Sequence, residues 1–145
     1  LKKLREKLVT QTMTLTHGSP RNPVWEYLVE PWVGLQNFAY FNTQLAFVGH
    51  SHPPASYTMT PGGERIIRTI HEGSQELEIT GRAILNPGSV GQPRDFDPRA
   101  SYGIFEPEKN LWQIVRVEYD IPAVQQRIRE AGLPEKGATR LAEGR

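Results

Sequence analysis

Glycine and proline cut this chain into short pieces. Of its 145 residues, 13 are Gly and 12 are Pro. They gather between apolar or β-branched runs: Gly18-Ser19-Pro20, Gly49 to Pro54, Pro61-Gly62-Gly63, Asn86-Pro87-Gly88 and Gly132 each follow one. Gly frees φ and Pro removes a backbone donor, so a strand or helix stops where they stand. No apolar run survives that is long enough to span a bilayer. What the punctuation permits is a set of short strands with a few short helices. That is a sheet-centred α/β or α+β domain.

Residues 1–9 carry Leu1, Leu4 and Leu8 at helical spacing and predict a short amphipathic helix. Residues 10–16 (TQTMTLT) are β-branched and predict a strand ending at His17. Residues 23–30 predict one or two helical turns, with Asn22 as cap, Pro23 at the first helical position and Pro31 as the stop. Residues 34–43 are read as helix. Residues 45–48 (LAFV) form a continuous apolar run, the pattern of a strand buried on both faces. Residues 56–60 and 64–70 flank Pro61-Gly62-Gly63 as a hairpin. Strands follow at 76–79 and 82–85, then an antiparallel pair at 101–105 and 111–118. Residues 122–131 open with Pro and close at Gly132, a well-punctuated helix. The polar stretch 133–145 is expected to fray.

The totals exclude several classes. Lys plus Arg number 17 against 16 for Asp plus Glu, a formal charge of +1. This leaves no electrostatic footprint for nucleic acid or an anionic membrane. With no cysteine, disulfide scaffolds, thiolate metal sites and cysteine nucleophiles are out. The length can bury a core without such a staple. Nothing at the start reads as a signal peptide, so cytoplasm is the default compartment.

Histidine carries the chemistry. Of the four, His17, His50 and His52 each follow a predicted strand and sit beside Gly or Pro. Sites in α/β folds form at the carboxyl ends of strands, and imidazole is the commonest metal ligand. In an extended segment, i and i+2 side chains leave the same face, which would bring His50 and His52 together. His71 has no such setting and reads as a surface residue. The only Asp residues are Asp95, Asp97 and Asp120, none at a strand end beside Gly or His. Three imidazoles can hold zinc with an open position, but cannot alone hold a bridged metal pair.

Other motifs are weaker. Asn86-Pro87-Gly88-Ser89-Val90-Gly91 is neither a nucleophile elbow nor a phosphate-cradling loop; it reads as a tight turn that supports its neighbours. Arg21, Arg94 and Arg99 are candidate phosphate partners, Arg21 first. Ser19 and His17 are too close in sequence to act as nucleophile and base. Trp25, Tyr27, Trp32, Phe38, Tyr40 and Phe41 are expected in the core, since no basic residues are interleaved among them.

Four segments together resemble a known family. They are Thr16-His17-Gly18-Ser19-Pro20-Arg21, Val48-Gly49-His50-Ser51-His52-Pro53, Asn86 to Arg94, and Asp97-Pro98-Arg99-Ala100-Ser101-Tyr102. In order and spacing the chain resembles the calcineurin-like metallophosphoesterases, especially the small bacterial and archaeal phosphodiesterases and diadenosine tetraphosphatase-related proteins. The resemblance implies the α/β class, as the C-terminal part of a four-layer αββα metallophosphoesterase sandwich. It implies two divalent metal ions, Mn, Fe, Zn or similar, that polarise a phosphate ester and activate water. It places His17 and His50 on one metal and His52 on its neighbour.

The family's Asp-x-His, Gly-Asp-x-x-Asp and Gly-Asn-His-Asp/Glu motifs do not occur in this chain. Residues 1–145 are therefore expected to be the C-terminal portion of one domain, requiring the N-terminal half for its remaining ligands and its general acid. An open sheet edge and an uncovered core face are expected with it. The expected activity is hydrolysis of a small-molecule phosphodiester or phosphomonoester by the completed enzyme. The alternative is a non-catalytic remnant, or partner-binding module, that keeps three metal-ligand histidines.

Overall fold

The structure is a computed structural model that describes residues 4–60 and 62–145. It is mixed α/β, with two sheets and three helices. The larger sheet has six strands in the order β1-β2-β3-β7-β4-β5. These are β1 (Lys7–Val9), β2 (Met13–Thr16), β3 (Leu45–Phe47), β4 (Pro54–Met59), β5 (Ile66–Ile70) and β7 (Ala83–Pro87). The smaller sheet is β6 (Gln75–Glu78), β9 (Leu111–Val117) and β8 (Ala100–Glu106), in that order. The helices are α1 (Pro31–Asn37), α2 (Ile121–Glu130) and α3 (Glu135–Glu143). No helix among the described residues is long and apolar enough to cross a membrane.

β3 is the keystone. Its run Leu45-Ala46-Phe47 lies between β2 and β7, parallel to both. Alternate residues serve opposite faces. Ala46, with Val48, Ala55, Tyr57 and Ile84, meets Leu28, Val33, Phe38 and Phe41. Leu45, with Ala83 and Leu85, meets Ile79, Trp112 and Ile114 across the gap between the sheets. A strand covered on both sides has no room for polar alternation, which is why this run is continuously apolar. α1 docks through Gly34, where a Cβ would fall 2.6 Å from the Tyr57 ring. The Tyr57 hydroxyl, buried there, donates to the Leu28 carbonyl at 2.6 Å.

Several local expectations are corrected. The helix expected over 1–9 is not formed where the structure describes it: Lys7–Val9 is strand β1, paired antiparallel to β2. Residues 1–3 lie outside the described residues. Helical spacing over so few residues is weak against the sheet edge that β2 offers. Residues 23–30 make only a turn, in which Asn22 Oδ1 accepts from the Trp25 N–H. Pro31 does not end that run; it starts α1, where its missing donor is one the first turn leaves unpaired anyway. The stretch 133–145 is not frayed. α3 buries Ala138 and Leu141, and its Gly144 carbonyl accepts from Phe96 N–H at 2.9 Å.

Only Phe38 and Phe41 of the six aromatics are core; Trp25, Tyr27, Trp32 and Tyr40 are exposed. His71 is the reverse case. It is 1% exposed, its Nε2 2.9 Å from Ser56 Oγ and its Nδ1 3.2 Å from Gln75 Oε1. Its ring meets Trp112 edge-on at 5.7 Å, so it joins β4, β6 and β9 across the two sheets.

The hairpin around Pro61-Gly62-Gly63 forms as expected, β4 against β5; Pro61 itself lies outside the described residues. The antiparallel pair β8 and β9 also forms as expected, with Asn110 in the left-handed region between them. The open edge has moved by one strand, because β1 covers β2. Leu8 and Leu15, paired across β1 and β2, remain exposed on one face.

Candidate metal centre

The parallel strands β2, β3 and β7 end on one side of the sheet, and the chemistry follows from that. His17 comes next after β2, Gly49 to His52 follow β3, and Asn86-Pro87 close β7. Strands that run the same way deliver their following residues to the same crevice.

His17 Nε2 and His50 Nδ1 lie 2.9 Å apart, with rings edge to face at 4.8 Å. Tyr27 packs against His50, its ring centroid 4.0 Å away at a 40° tilt. His52 turns elsewhere. Its Nδ1 is 2.5 Å from the Gln92 carbonyl oxygen. A carbonyl only accepts, so Nδ1 carries the proton and Nε2 keeps its lone pair. A ring nitrogen tied to a backbone carbonyl is the usual way a ligating histidine has its tautomer and orientation set.

The Gly-His-Ser-His turn is not the extended segment the i, i+2 argument assumes. His50 and His52 have φ of +58° and +73°, the left-handed region that costs non-glycine residues on the order of 1–3 kcal/mol each. The turn is held by Asn86, which is fully buried. Its Nδ2 donates to the Gly49 carbonyl at 3.0 Å and to Ser51 Oγ at 2.9 Å, and its Oδ1 accepts from Gly88 N–H at 2.9 Å. The 86–91 loop thus supports the histidine turn, as its sequence suggests.

Burial first, then the neighbouring His17, His52 and Arg94, push the His50 pKa down. Burial also lowers His52; the Gln92 carbonyl opposes it, and Arg94 and His17 add to it. Both rings are therefore biased to the neutral form that binds metal. Arg94 stands close, donating from Nη2 to Gln92 Oε1 at 2.7 Å, while its Nε is buried with no partner.

Arg21 sits with Glu26 rather than facing open space. Its Nε donates to Glu26 Oε1 at 3.0 Å, its Nη2 is ion-paired to the same carboxylate, and its Nη1 donates to Gln36. Arg99 is likewise paired with Asp97. Glu26 is the residue that sequence reasoning missed, because PVWEYLVE reads as helix and hides a carboxylate that bonds the His17 loop. Burial alone would raise its pKa; bonds from Arg21, Asn37 and Ser19 outweigh this and hold it below the usual range.

The donor set is three imidazoles. Among the described residues no group of three or more His, Asp or Glu side chains closes on one metal position. Two imidazoles whose ring nitrogens meet at 2.9 Å, with a third whose lone pair is set by a carbonyl, fit a nitrogen-liganded divalent metal as part of a site. The sizeable clefts lie elsewhere. One of about 390 Å³ is lined by Asp97, Arg99, Glu118 and Tyr119. Another of about 400 Å³ lies between α2 and α3 and reaches Gln92.

A parallel strand core with histidine turns at its carboxyl ends defines a metallophosphoesterase-like α/β fold. No family model matches the chain. It is 44% identical to a metallophosphoesterase from Sphaerobacter thermophilus of known crystal structure, with a TM-score of 0.93 over 100% of this chain and 61% of that one. An uncharacterized protein of Methanocaldococcus jannaschii is 38% identical over 143 residues, 98% of this chain and 56% of the relative. A hypothetical protein of Pyrococcus horikoshii, 20% identical over 99% of this chain and 52% of its own, shares the fold with a TM-score of 0.68. By its likeness to the Sphaerobacter structure, the chain has the fold of the metallophosphoesterase superfamily and matches part of that structure. It spans little more than half the length of these relatives.

Proposed function

We propose that this chain carries the C-terminal ligands of a dinuclear metal-dependent phosphoesterase, with His17 and His50 on one metal and His52 on the other. The observation that supports it best is the pairing of His17 with His50 at 2.9 Å beside a His52 whose Nδ1 is committed to the Gln92 carbonyl. Divalent metal at such a centre supplies Lewis acidity toward the phosphoryl oxygens and lowers the pKa of water. The chain's own residues hold the imidazoles neutral and aimed, through Asn86, Gln92 and Tyr27. Arg94, near enough to His50 and His52 to lower their pKa values, is the candidate phosphate partner. Arg21, expected at the phosphate, serves its own loop in this reading. The substrate is a small phosphodiester or phosphomonoester. The bridging carboxylate and general acid come from outside this stretch, and Mn, Fe or Zn is the metal.

A second reading is a non-catalytic remnant, favoured by one fact: among the described residues no carboxylate joins the histidines. One experiment separates the two. The full-length protein is assayed for bound metal and for hydrolysis of a chromogenic phosphodiester with added Mn²⁺. Turnover that depends on metal is expected; no metal and no turnover would sink the proposal and leave the remnant.

A further inference from the structure

The loop after His17 is held by a carboxylate that has no part in the phosphoesterase reading. Gly18 to Asn22 doubles back on itself: Gly18 N–H donates to the Pro23 carbonyl at 2.6 Å and Ser19 N–H to the Asn22 carbonyl at 3.0 Å. A Cβ on Gly18 would fall 2.7 Å from the Asn22 carbonyl oxygen. Glu26 lies under this turn and gathers its side chains. It accepts from Ser19 Oγ at 2.5 Å, from Arg21 Nε at 3.0 Å and from Asn37 Nδ2 at 2.9 Å. Asn37, fully buried at the end of α1, closes the ring by accepting from Arg21 N–H at 2.8 Å. One carboxylate therefore ties the His17 loop to α1.

The residue after Glu26 reaches the other histidine. The ring centroids of Tyr27 and His50 lie 4.0 Å apart. Glu26 faces the loop while Tyr27, the next residue, meets His50. Moving Glu26 would shift the support of both members of the pair.

We infer that Glu26 is a positioning residue for the His17–His50 pair, anchoring from one backbone segment both the loop that carries His17 and the ring that packs against His50. The inference rests on the proposed function, since it assigns these rings to a metal. Direct partners of ligating histidines are typically worth about 10- to 100-fold in metal affinity; Glu26 acts one residue further out, and its ion pair with Arg21 plus two further donors, Ser19 and Asn37, holds the loop more firmly than a lone hydrogen bond.

The test is Co²⁺ titration of the metal-free full-length protein, followed by the visible absorption of the bound ion. The wild type is expected to bind. Glu26→Gln keeps the shape and loses the charge; it is expected to weaken binding severalfold, up to about 10-fold, and to change the shape of the Co²⁺ absorption envelope, which a role in folding alone would not do. Equal affinity and an identical spectrum in wild type and Glu26→Gln would overturn the positioning role while leaving the metal centre standing. No binding by the wild type would overturn both. Should Glu26→Gln fail to fold, Ser19→Ala removes one donor and leaves the ion pair. It is expected to weaken Co²⁺ severalfold, and unchanged affinity there overturns the inference equally.

Discussion

His17 and His50 are 33 residues apart in the chain, yet their ring nitrogens stand 2.9 Å from each other. The cause is the parallel register of β2 and β3, in which Leu15 pairs with Phe47. Two residues beyond Leu15 is His17, and three beyond Phe47 is His50. The pair is thus a consequence of strand order.

His17→Ala and His50→Ala are expected to cost the same metal equivalent, and His52→Ala the other. Metal analysis of the full-length protein by mass spectrometry reads this directly. His71→Ala should keep its metal and lose stability instead. Equal small losses from all four would undo the assignment.

Asn86→Asp should loosen the histidine turn. The replacement keeps size but removes the Nδ2 donor that holds the Gly49 carbonyl and Ser51 Oγ. Leaving those buried groups unpaired costs about 1–3 kcal/mol, to be read as a lower urea midpoint. Weaker Co²⁺ binding should accompany it.

His71 should make stability fall in acid. Burial lowers its pKa in the folded state; the bond with Gln75 only partly opposes this. Below the unfolded-state pKa of about 6.5, the unfolded chain takes up a proton that the folded chain refuses. Stability is then full above that pH and declines as pH falls toward the folded value. His50 and His52 act in the same direction, so the test is a difference. Melting temperatures between pH 7.5 and 5.5 should drop less in His71→Gln than in the wild type. Parallel curves would exclude His71 as a source.

Arg116 and Asp95 form an ion pair whose side chains are 0% and 7% exposed. Arg116→Met should destabilise by about 3–5 kcal/mol, since it strands a buried carboxylate. Adding Asp95→Asn should recover much of the loss, measured as a double-mutant cycle in chemical denaturation. A purely additive cycle would show that the two groups do not interact.

Much of the fold is legible where pattern and burial agree. The LAFV run, the Pro-Gly-Gly hairpin and the Pro-to-Gly helix α2 each carry a local signal that the tertiary structure reinforces. Local signal fails where it is short. Three leucines at helical spacing could not hold residues 7–9 against an open sheet edge. The polar tail became α3 because two of its residues, Ala138 and Leu141, find cover.

For the site, the residue types and the strand-end positions of His17, His50 and His52 are written in the sequence, because Gly and Pro mark where strands stop. Asn86 is visible as part of a turn, but its hydrogen bonds are not. Glu26 and the buried His71 are invisible, since each owes its role to partners on other elements. Composition and punctuation alone determined a sheet-centred chain without thiol chemistry and with histidines at strand ends. Only the tertiary structure decided which histidines meet and which one is sealed in the core. Proximity across strands is set by their order and direction, and no spacing along a single chain encodes that.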